Sequence, residues 1–409
     1  MPRDLSVGSI ETGTVPGRYY GLDALRSSML LLGVVFHLSM PYTGIILPGY
    51  YVTDERSRLL QMVLIVHYFR MPVFFLLSGF FSALLWQRGG SAKFLRVRSK
   101  RIGLVWLASL IVLSPVMAAI SVYNHFASQG GNALTLAWGA IAALQIDRSW
   151  LPDPPLHLWF LEYLMLFCLG AAAILSLVPR LLPFLDRYAE KIMAWRFRIV
   201  VLAVPTALTL WRMPFGVVPY PSSLVPRLGI VLAYGWFYAV GWLIYRRRDL
   251  IPLLASRARI EKVVAPVLLV ICLLLVKRYA KLSPTMRTPL ADFAVASSTA
   301  LFVWAAVIAL ITAVQAIKPR KWLPYLADSS YWIYLLHYPF AIVLPGMLRG
   351  WSISPVVKVT LSTAFICGFL LLTYDQFVRY SVMGRALNGV RLRTPARAPT
   401  PEEGSSLAE

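Results

Sequence analysis

The chain has 409 residues, of which 58% are hydrophobic and 14% charged. Ordinary soluble chains carry about 45–50% and about 25%. So few charges cannot cover soluble domains of this size, and the composition equally excludes disorder, a collagen-like repeat and a disulfide scaffold. The remaining class is an all-α integral membrane protein built as one polytopic helical domain.

The charge is lopsided, with 40 Lys+Arg against 18 Asp+Glu, a formal net charge of +22. The basic residues sit in short loops between apolar runs. That is the orientation pattern of membrane proteins and not a nucleic-acid surface, so nucleic acid is not an expected partner. Cys168, Cys272 and Cys367 lie singly in apolar runs without metal or disulfide spacing. They read as small buried hydrophobes, and no metal site is expected.

Ten apolar stretches are long enough to cross a bilayer core of about 30 Å, which takes roughly 20 helical residues. They cover 20–42, 63–86, 102–122, 157–178, 198–214, 227–245, 263–279, 289–316, 328–346 and 355–379. The fifth and seventh are the weakest. Segment 133–146 is apolar but short, and reads as a re-entrant or interfacial helix. The expected organisation is a cytoplasmic N-terminal segment over 1–19, a transmembrane domain over 20–379 and a disordered cytoplasmic tail over 380–409. The tail is polar and proline-bearing.

Loop charge sets the expected orientation. The loops 87–101, 179–197, 246–262 and 317–321 are basic, whereas the alternate loops are poorer in Lys and Arg, apart from one that carries Arg278, Lys281 and Arg287. The balance puts both termini on the cytoplasmic side of the membrane. The first stretch is too long for a signal peptide, contains Arg26 and lacks a small-residue cleavage site.

An ionisable residue inside a span costs about 2.5–3.5 kcal/mol on insertion scales and calls for an explanation. In the first span Arg26 and His37 are eleven residues apart, which places them within about 20° of one helix face and about 16 Å apart along it. Asp23 is within pairing reach of Arg26. The bland alternative is a snorkelling Arg26 and a His37 that hydrogen-bonds a neighbouring helix. The second span carries Arg70, an interfacial snorkeller or a substrate contact, and Ser78-Gly79, whose default reading is close helix packing. The fourth opens with His157 and Trp159 at the outer boundary and carries Glu162 deeper. The ninth places His337 near mid-membrane, ahead of Pro339. The tenth ends on Asp375 with Arg379 four residues on, a structural pair. The stretch from Lys93 through Arg96, Arg98 and Arg101 is either positive-inside charge meeting anionic lipid or a phosphate grip for a nucleotide-bearing cosubstrate.

In order, these segments resemble the membrane-bound acyltransferase 3 family, and within it the group of glucans biosynthesis protein C. Leu22-Asp23 through Arg26 with His37 resembles the family's Arg-x10-His signature. Tyr68 to Met71 leading into Phe74-Phe75 and Ser78-Gly79, His157 to Leu161, Tyr334 to Pro339, and Tyr374-Asp375 resemble the group's later motifs. The matches run from about residue 20 to 380, whereas 180–320 matches only in hydropathy and loop charge.

The resemblance implies a ten-span enzyme that moves an acyl group, succinyl first of all, from cytoplasmic acyl-CoA to hydroxyls of a periplasmic glucan. It carries no permanently bound cofactor, and acyl-CoA is the cosubstrate. His37 is the candidate general base, since an imidazole of pKa about 6.5 suits that work; Arg26 and Asp23 are grouped with it as catalytic, Arg26 to pair with the donor's phosphates or the succinyl carboxylate and Asp23, like Glu162, to orient or charge-balance partners. Arg96, Arg98 and Arg101 are candidates for the CoA phosphates. Arg70, His157, Glu162 and His337 are candidates for lining the acceptor side or pore. His337 is the second candidate for the base, and an acyl-Ser78 relay is the weaker route. The partners are the bilayer, acyl-CoA and a carbohydrate, with homo-oligomerisation open. Two other readings stay open: an O-acetyltransferase of a surface polysaccharide or lipid-linked sugar, and a glycan transporter or flippase that would not need the arginine grip.

Overall fold

The structure is a computed structural model that describes residues 19–130, 156–221 and 223–388. The short apolar segment 133–146, the expected N-terminal segment up to residue 18 and the tail from 389 lie outside the described residues. Among the described residues the secondary structure is entirely helical.

The principal helices are α1 (Tyr20–Ser39), α2 (Ile65–Gln87), α3 (Gly90–Arg98), α4 (Leu104–Ser128), α5 (Trp159–Leu177), α6 (Leu181–Ala194), α7 (Arg198–Leu210), α8 (Leu228–Arg246), α9 (Arg259–Ala280), α10 (Pro289–Ala313), α11 (Leu323–Met347), α12 (Pro355–Thr373) and α13 (Val382–Asn388). Among the described residues seven helical stretches are long and apolar enough to cross a membrane, or eight if the bent pair α6–α7 is one span. The expectation of ten is met to that extent. The shortfall has a physical cause. Helix α9 carries Glu261, Lys262, Lys277 and Arg278 near its ends, and α11 carries Asp328, Tyr331, Tyr334 and His337 on faces turned into the protein. Polar lining dilutes the apolar signal of a helix that still packs in the bundle.

Segments expected as loops or tail also contain helices, among them α3 in 87–101 and Ile251–Arg257 in 246–262. Residues 179–197 include α6, which meets α7 at 117°. Its Asp186 and Glu190 bind Arg246 at 2.5 Å and Arg247 at 2.7 Å, while Phe184 and Tyr188 are exposed. A polar edge held by arginines and an aromatic edge left open suit a helix lying in a membrane interface. Val382–Asn388, expected as disordered tail, forms α13. Asn388 donates to the carbonyl of Asp328 and the hydroxyl of Tyr374, both at 3.2 Å.

Large apolar side chains recur at three- to four-residue intervals on outward faces: Leu107, Ile111 and Val112 on α4, Val263, Val267, Val270 and Leu274 on α9, and Leu361, Phe365 and Leu372 on α12. Such stripes fit hydrocarbon and would be a liability in water. The interior packs through aromatic pairs, such as Phe237 stacked on Trp304 at 4.5 Å. It also packs through close backbone approach. A Cβ on Gly79 would overlap the carbonyl of Tyr238, and one on Gly241 would overlap that of Leu76, so α2 and α8 cross in near contact. Gly79 is thus a packing residue, in line with small-residue helix contacts in membranes.

Helices α1 and α11 run parallel, with Arg26 donating to Ala327 and His37 lying beside His337. They carry the chain from a basic end, where α2 turns into α3, to an opposite end closed by the segment 44–57.

Candidate active site

Four of the chain's five histidines converge towards that opposite end. His37 comes from the last turn of α1, His67 from the first turn of α2, His157 from the turn before α5, and His337 from the middle of α11. The ring of His337 lies 5.5 Å from His37 and 5.3 Å from His157. Tyr338 stacks on His157 at 4.6 Å and meets His37 edge-on at 5.0 Å. His67 stacks on Phe36, the neighbour of His37, at 5.4 Å.

The backbone explains two of these placements. Pro339 has no N–H, so the carbonyl of Leu335 loses its helical donor. His157 Nε2 fills the gap, 3.1 Å from the carbonyls of both Leu335 and Tyr334. The hydroxyl of Tyr334 returns a bond to the carbonyl of His157 at 2.9 Å. Leu156 holds φ at 51°, a left-handed conformation that a branched residue adopts at a cost of about 1–2 kcal/mol, and so delivers His157 beneath α11. The proline that ended a motif on paper is here the reason that a histidine from another helix is fixed.

Hydrogen-bond logic sets the tautomers. His337 Nδ1 faces the carbonyls of Tyr334 at 2.8 Å and Ile333 at 3.1 Å, so it must carry the proton. Its Nε2 is buried without a partner, as is Nδ1 of His157. In the neutral rings these atoms bear lone pairs. His157 and His337 are buried, whereas His37 is half-buried and keeps access. His37 Nδ1 lies 2.9 Å from the hydroxyl of Tyr50, which also hydrogen-bonds Tyr338.

Tyr50 belongs to the segment 44–57, which is braced at several points. Asn124 donates to the carbonyls of Gly49 at 2.9 Å and Ile342 at 3.0 Å, and Ser128 accepts from the amide of Val52 at 3.1 Å. Lys358, only 2% exposed, binds Glu55 at 2.8 Å. Beside Tyr50 a cavity of about 220 Å³ is lined by Leu47, Val52, Ser121, Ser128 and His125, the fifth histidine.

Arg70 enters from α2. Its guanidinium lies over Phe36, 5.2 Å from the ring centroid. A Cβ on Gly33 would overlap its Nη1, so the absence of a side chain on α1 makes the room it occupies.

The other expected site residues lie elsewhere. Arg26 pairs with Asp23 at 3.4 Å and donates to the carbonyl of Ala327 at 3.1 Å, towards the basic end. They do not join His37. Of the three arginines expected to grip phosphate, Arg96 is exposed, while Arg98 and Arg101 are half-buried. A π-helical turn over Ser99–Gly103 follows Arg98, and such turns re-aim side chains. Arg98 donates to Ser82 Oγ at 2.9 Å, and the carbonyl of Arg101 accepts from Tyr331 at 2.7 Å. Tyr331, Tyr334 and His337 then follow one another along α11, ring to ring at 6.3 and 6.2 Å. Glu162 is half-buried, with one carboxylate oxygen unpartnered, and makes no contact with the imidazoles among the described residues. Among those residues no three His, Cys, Asp or Glu side chains converge as metal ligands. The cysteines are free, with Cys168 and Cys272 buried and Cys367 half-buried.

Sequence reasoning missed His67, Tyr50 and Tyr338. His67 had a signal, since it lies three residues before Arg70 on the same helix face. Tyr50 had none, because it sits in a connecting segment.

The family model for an acyltransferase domain matches residues 19–374. Glucans biosynthesis protein C of Escherichia coli (strain K12) is 24% identical over 386 residues, covering 91% of this chain and 94% of that protein. The protein of that name from Salmonella gallinarum (strain 287/91 / NCTC 13346) is 23% identical over 400 residues, covering 91% and 95%. No solved structure matches the chain.

Proposed function

On the premise that the chain belongs to the acyltransferase 3 family and is a transferase, we propose that it esterifies a hydroxyl of a glucan with an acyl group, succinyl in the first place, taken from a coenzyme A thioester. In this reading the chain crosses a bacterial inner membrane ten times. The basic end and both termini face the cytoplasm, and the segment 44–57 faces the periplasm.

The observation that carries the reading is the convergence of three imidazoles around a fourth, His37, which is half-buried and keeps access. When the hydroxyl of Tyr50 donates to Tyr338, it accepts from His37 Nδ1–H, and His37 Nε2 is left with its lone pair. That nitrogen takes the proton of the acceptor hydroxyl as the oxygen attacks the thioester carbonyl. The C–O bond forms, the C–S bond breaks, and the proton passes to the departing thiolate, giving an ester and free coenzyme A. General-base help of this kind contributes about 10²–10⁴-fold. Arg98 and Arg101 suit the phosphates of the donor at the basic end. Tyr331 and Tyr334 mark the polar face of α11 along which a slender pantetheine arm reaches His337 and His37. The cavity beside Tyr50 suits a sugar unit approaching from the opposite side, because hydroxyl and imidazole groups line it next to an aromatic ring.

The test compares periplasmic oligosaccharides by mass spectrometry from a deletion strain, the restored strain and a strain carrying His37→Ala at equal membrane abundance. Acylated glucans are expected only with the unmodified gene, and the mass increment names the acyl group. Identical glucans in all three strains would sink the reading.

A further inference from the structure

The site contains a fixed positive charge that the chain does not neutralise. Arg70 lies in a helical stretch long and apolar enough to cross a membrane, and its Nε is buried with no hydrogen-bond partner. Among the described residues no carboxylate lies within 4.0 Å of its nitrogens, whereas buried Arg198 and Lys358 are each paired with a glutamate. Its surroundings are the ring of Phe36, the hydroxyls of Tyr50, Tyr234 and Tyr334, and the imidazoles of His37, His67 and His337. None of them is a carboxylate. Arg70 is half-buried with a buried Nε, and a guanidinium drawn out of water without a counter-charge is unfavourable. It persists here with space cleared for it by Gly33.

We infer that Arg70 is the receptor for a carboxylate at the far end of the transferred acyl group, and so selects a dicarboxylic acyl donor over a neutral one. The inference rests on the acyl-transfer reading above and assigns within it what the cation is for. The alternative anion is the oxyanion of the tetrahedral intermediate. That charge exists only transiently, and neutral hydroxyl or imidazole donors can meet it without standing uncompensated between turnovers. A carboxylate is present from the moment the donor binds, and its two oxygens match the planar guanidinium fork. The neutral hydroxyls of a glucan offer no counter-charge at all. The acyl carboxylate is a spectator in the chemistry: it stays ionised, and the product is a half-ester that carries the negative charge away from the site.

The test uses the full chain in lipid nanodiscs with an oligoglucoside acceptor, and compares succinyl-CoA with acetyl-CoA, with ester formation read by mass spectrometry. The unmodified protein is expected to prefer the succinyl donor. Arg70→Gln is expected to lose succinyl transfer by about a hundredfold or more while acetyl transfer stays within about threefold, reversing the preference. Arg70→Met should do the same, and Arg70→Lys, which keeps the charge without the fork, should fall between. Unchanged acetyl transfer shows that each variant is folded. An equal fall with both donors overturns the inference, because a shared oxyanion or the fold would then be what Arg70 serves. An unmodified protein that uses acetyl-CoA and not succinyl-CoA also overturns it, yet leaves the acyltransferase reading standing. An unmodified protein that uses neither donor removes the acyl-CoA reading and the inference together.

Discussion

Two arginines within the helical bundle, Arg198 buried and Arg70 half-buried, are handled in opposite ways. Arg198, 3% exposed at the start of α7, meets Glu261, 2% exposed in the first turn of α9, at 2.5 Å. It also donates to the carbonyl of Met193 at 3.2 Å. The pair ties two helices together where α6 turns into α7, and its charge is cancelled within the chain. Arg70 has the same chemistry, but among the described residues no carboxylate lies within 4.0 Å of it, and its guanidinium rests over the ring of Phe36 at 5.2 Å. A buried cation that brings its own anion is a fastener. A half-buried cation without one is poised for an anion that arrives from outside. Lys358 falls in the first class, because Glu55 neutralises it and the pair holds down the segment that presents Tyr50.

The contrast breaks most visibly at Glu261. Glu261→Gln removes the anion and leaves Arg198 buried and unpaired, at an expected cost of about 3–5 kcal/mol. The measurement is reversible unfolding of the detergent-solubilised protein. Arg198→Met combined with Glu261→Leu should recover most of that loss, since a well-packed apolar pair can replace a buried ion pair. A single variant as stable as the unmodified chain would remove the fastener reading. Gly33→Ala should act in the other direction. A Cβ there meets only the mobile end of Arg70. The helix gains about 0.5–1 kcal/mol from losing a glycine, while the guanidinium is pushed off its position. The expected result is an unfolding midpoint at or above that of the unmodified protein, with succinyl transfer reduced about tenfold, which is about 1.4 kcal/mol in the barrier. Loss of stability with transfer intact would show that Gly33 matters for packing alone.

The fold was legible where a run of apolar residues is long, and that covers all ten expected stretches as helices, because hydrocarbon imposes one rule on every residue that faces it. It was least legible where polar groups are organised by tertiary contacts. Helix α6 looked like a basic loop, since its Asp186 and Glu190 make sense only against Arg246 and Arg247, some 60 residues away in sequence. The same divide runs through the site. His37, Arg70 and His337 stood out as costly residues in apolar runs, and His157 stood out only as part of a motif at the outer boundary. Periodicity placed Arg26 and His37 on one face, but a shared face is not a shared site, and eleven residues of helix keep them about 16 Å apart. Nothing in the spacing disclosed that Pro339 would free a carbonyl for His157, or that Gly33 would clear space for Arg70. Those relations join helices that no local pattern connects.

Tyr50 provides the finest division between the two kinds of region, because it lies in the braced segment and touches the reactive ring. Its hydroxyl holds His37 Nδ1 at 2.9 Å, while its ring is 8% exposed and packs with Phe36, Met40, Met117 and Ile342. Tyr50→Phe keeps the packing and deletes the hydroxyl. A neutral hydrogen bond is worth about 1 kcal/mol, so turnover is expected to fall about fivefold if the bond orients the imidazole. The KM values for donor and acceptor should hold, because the hydroxyl meets His37 and Tyr338 and neither substrate. A matching rise in KM with turnover intact would instead place the hydroxyl against the sugar. Breaking the brace at a distance, by Lys358→Met, should reproduce the Tyr50→Phe loss if the brace acts only by presenting Tyr50, and the two changes combined should cost little more than either alone. Full additivity of the two losses would mean that the brace and the hydroxyl serve His37 separately.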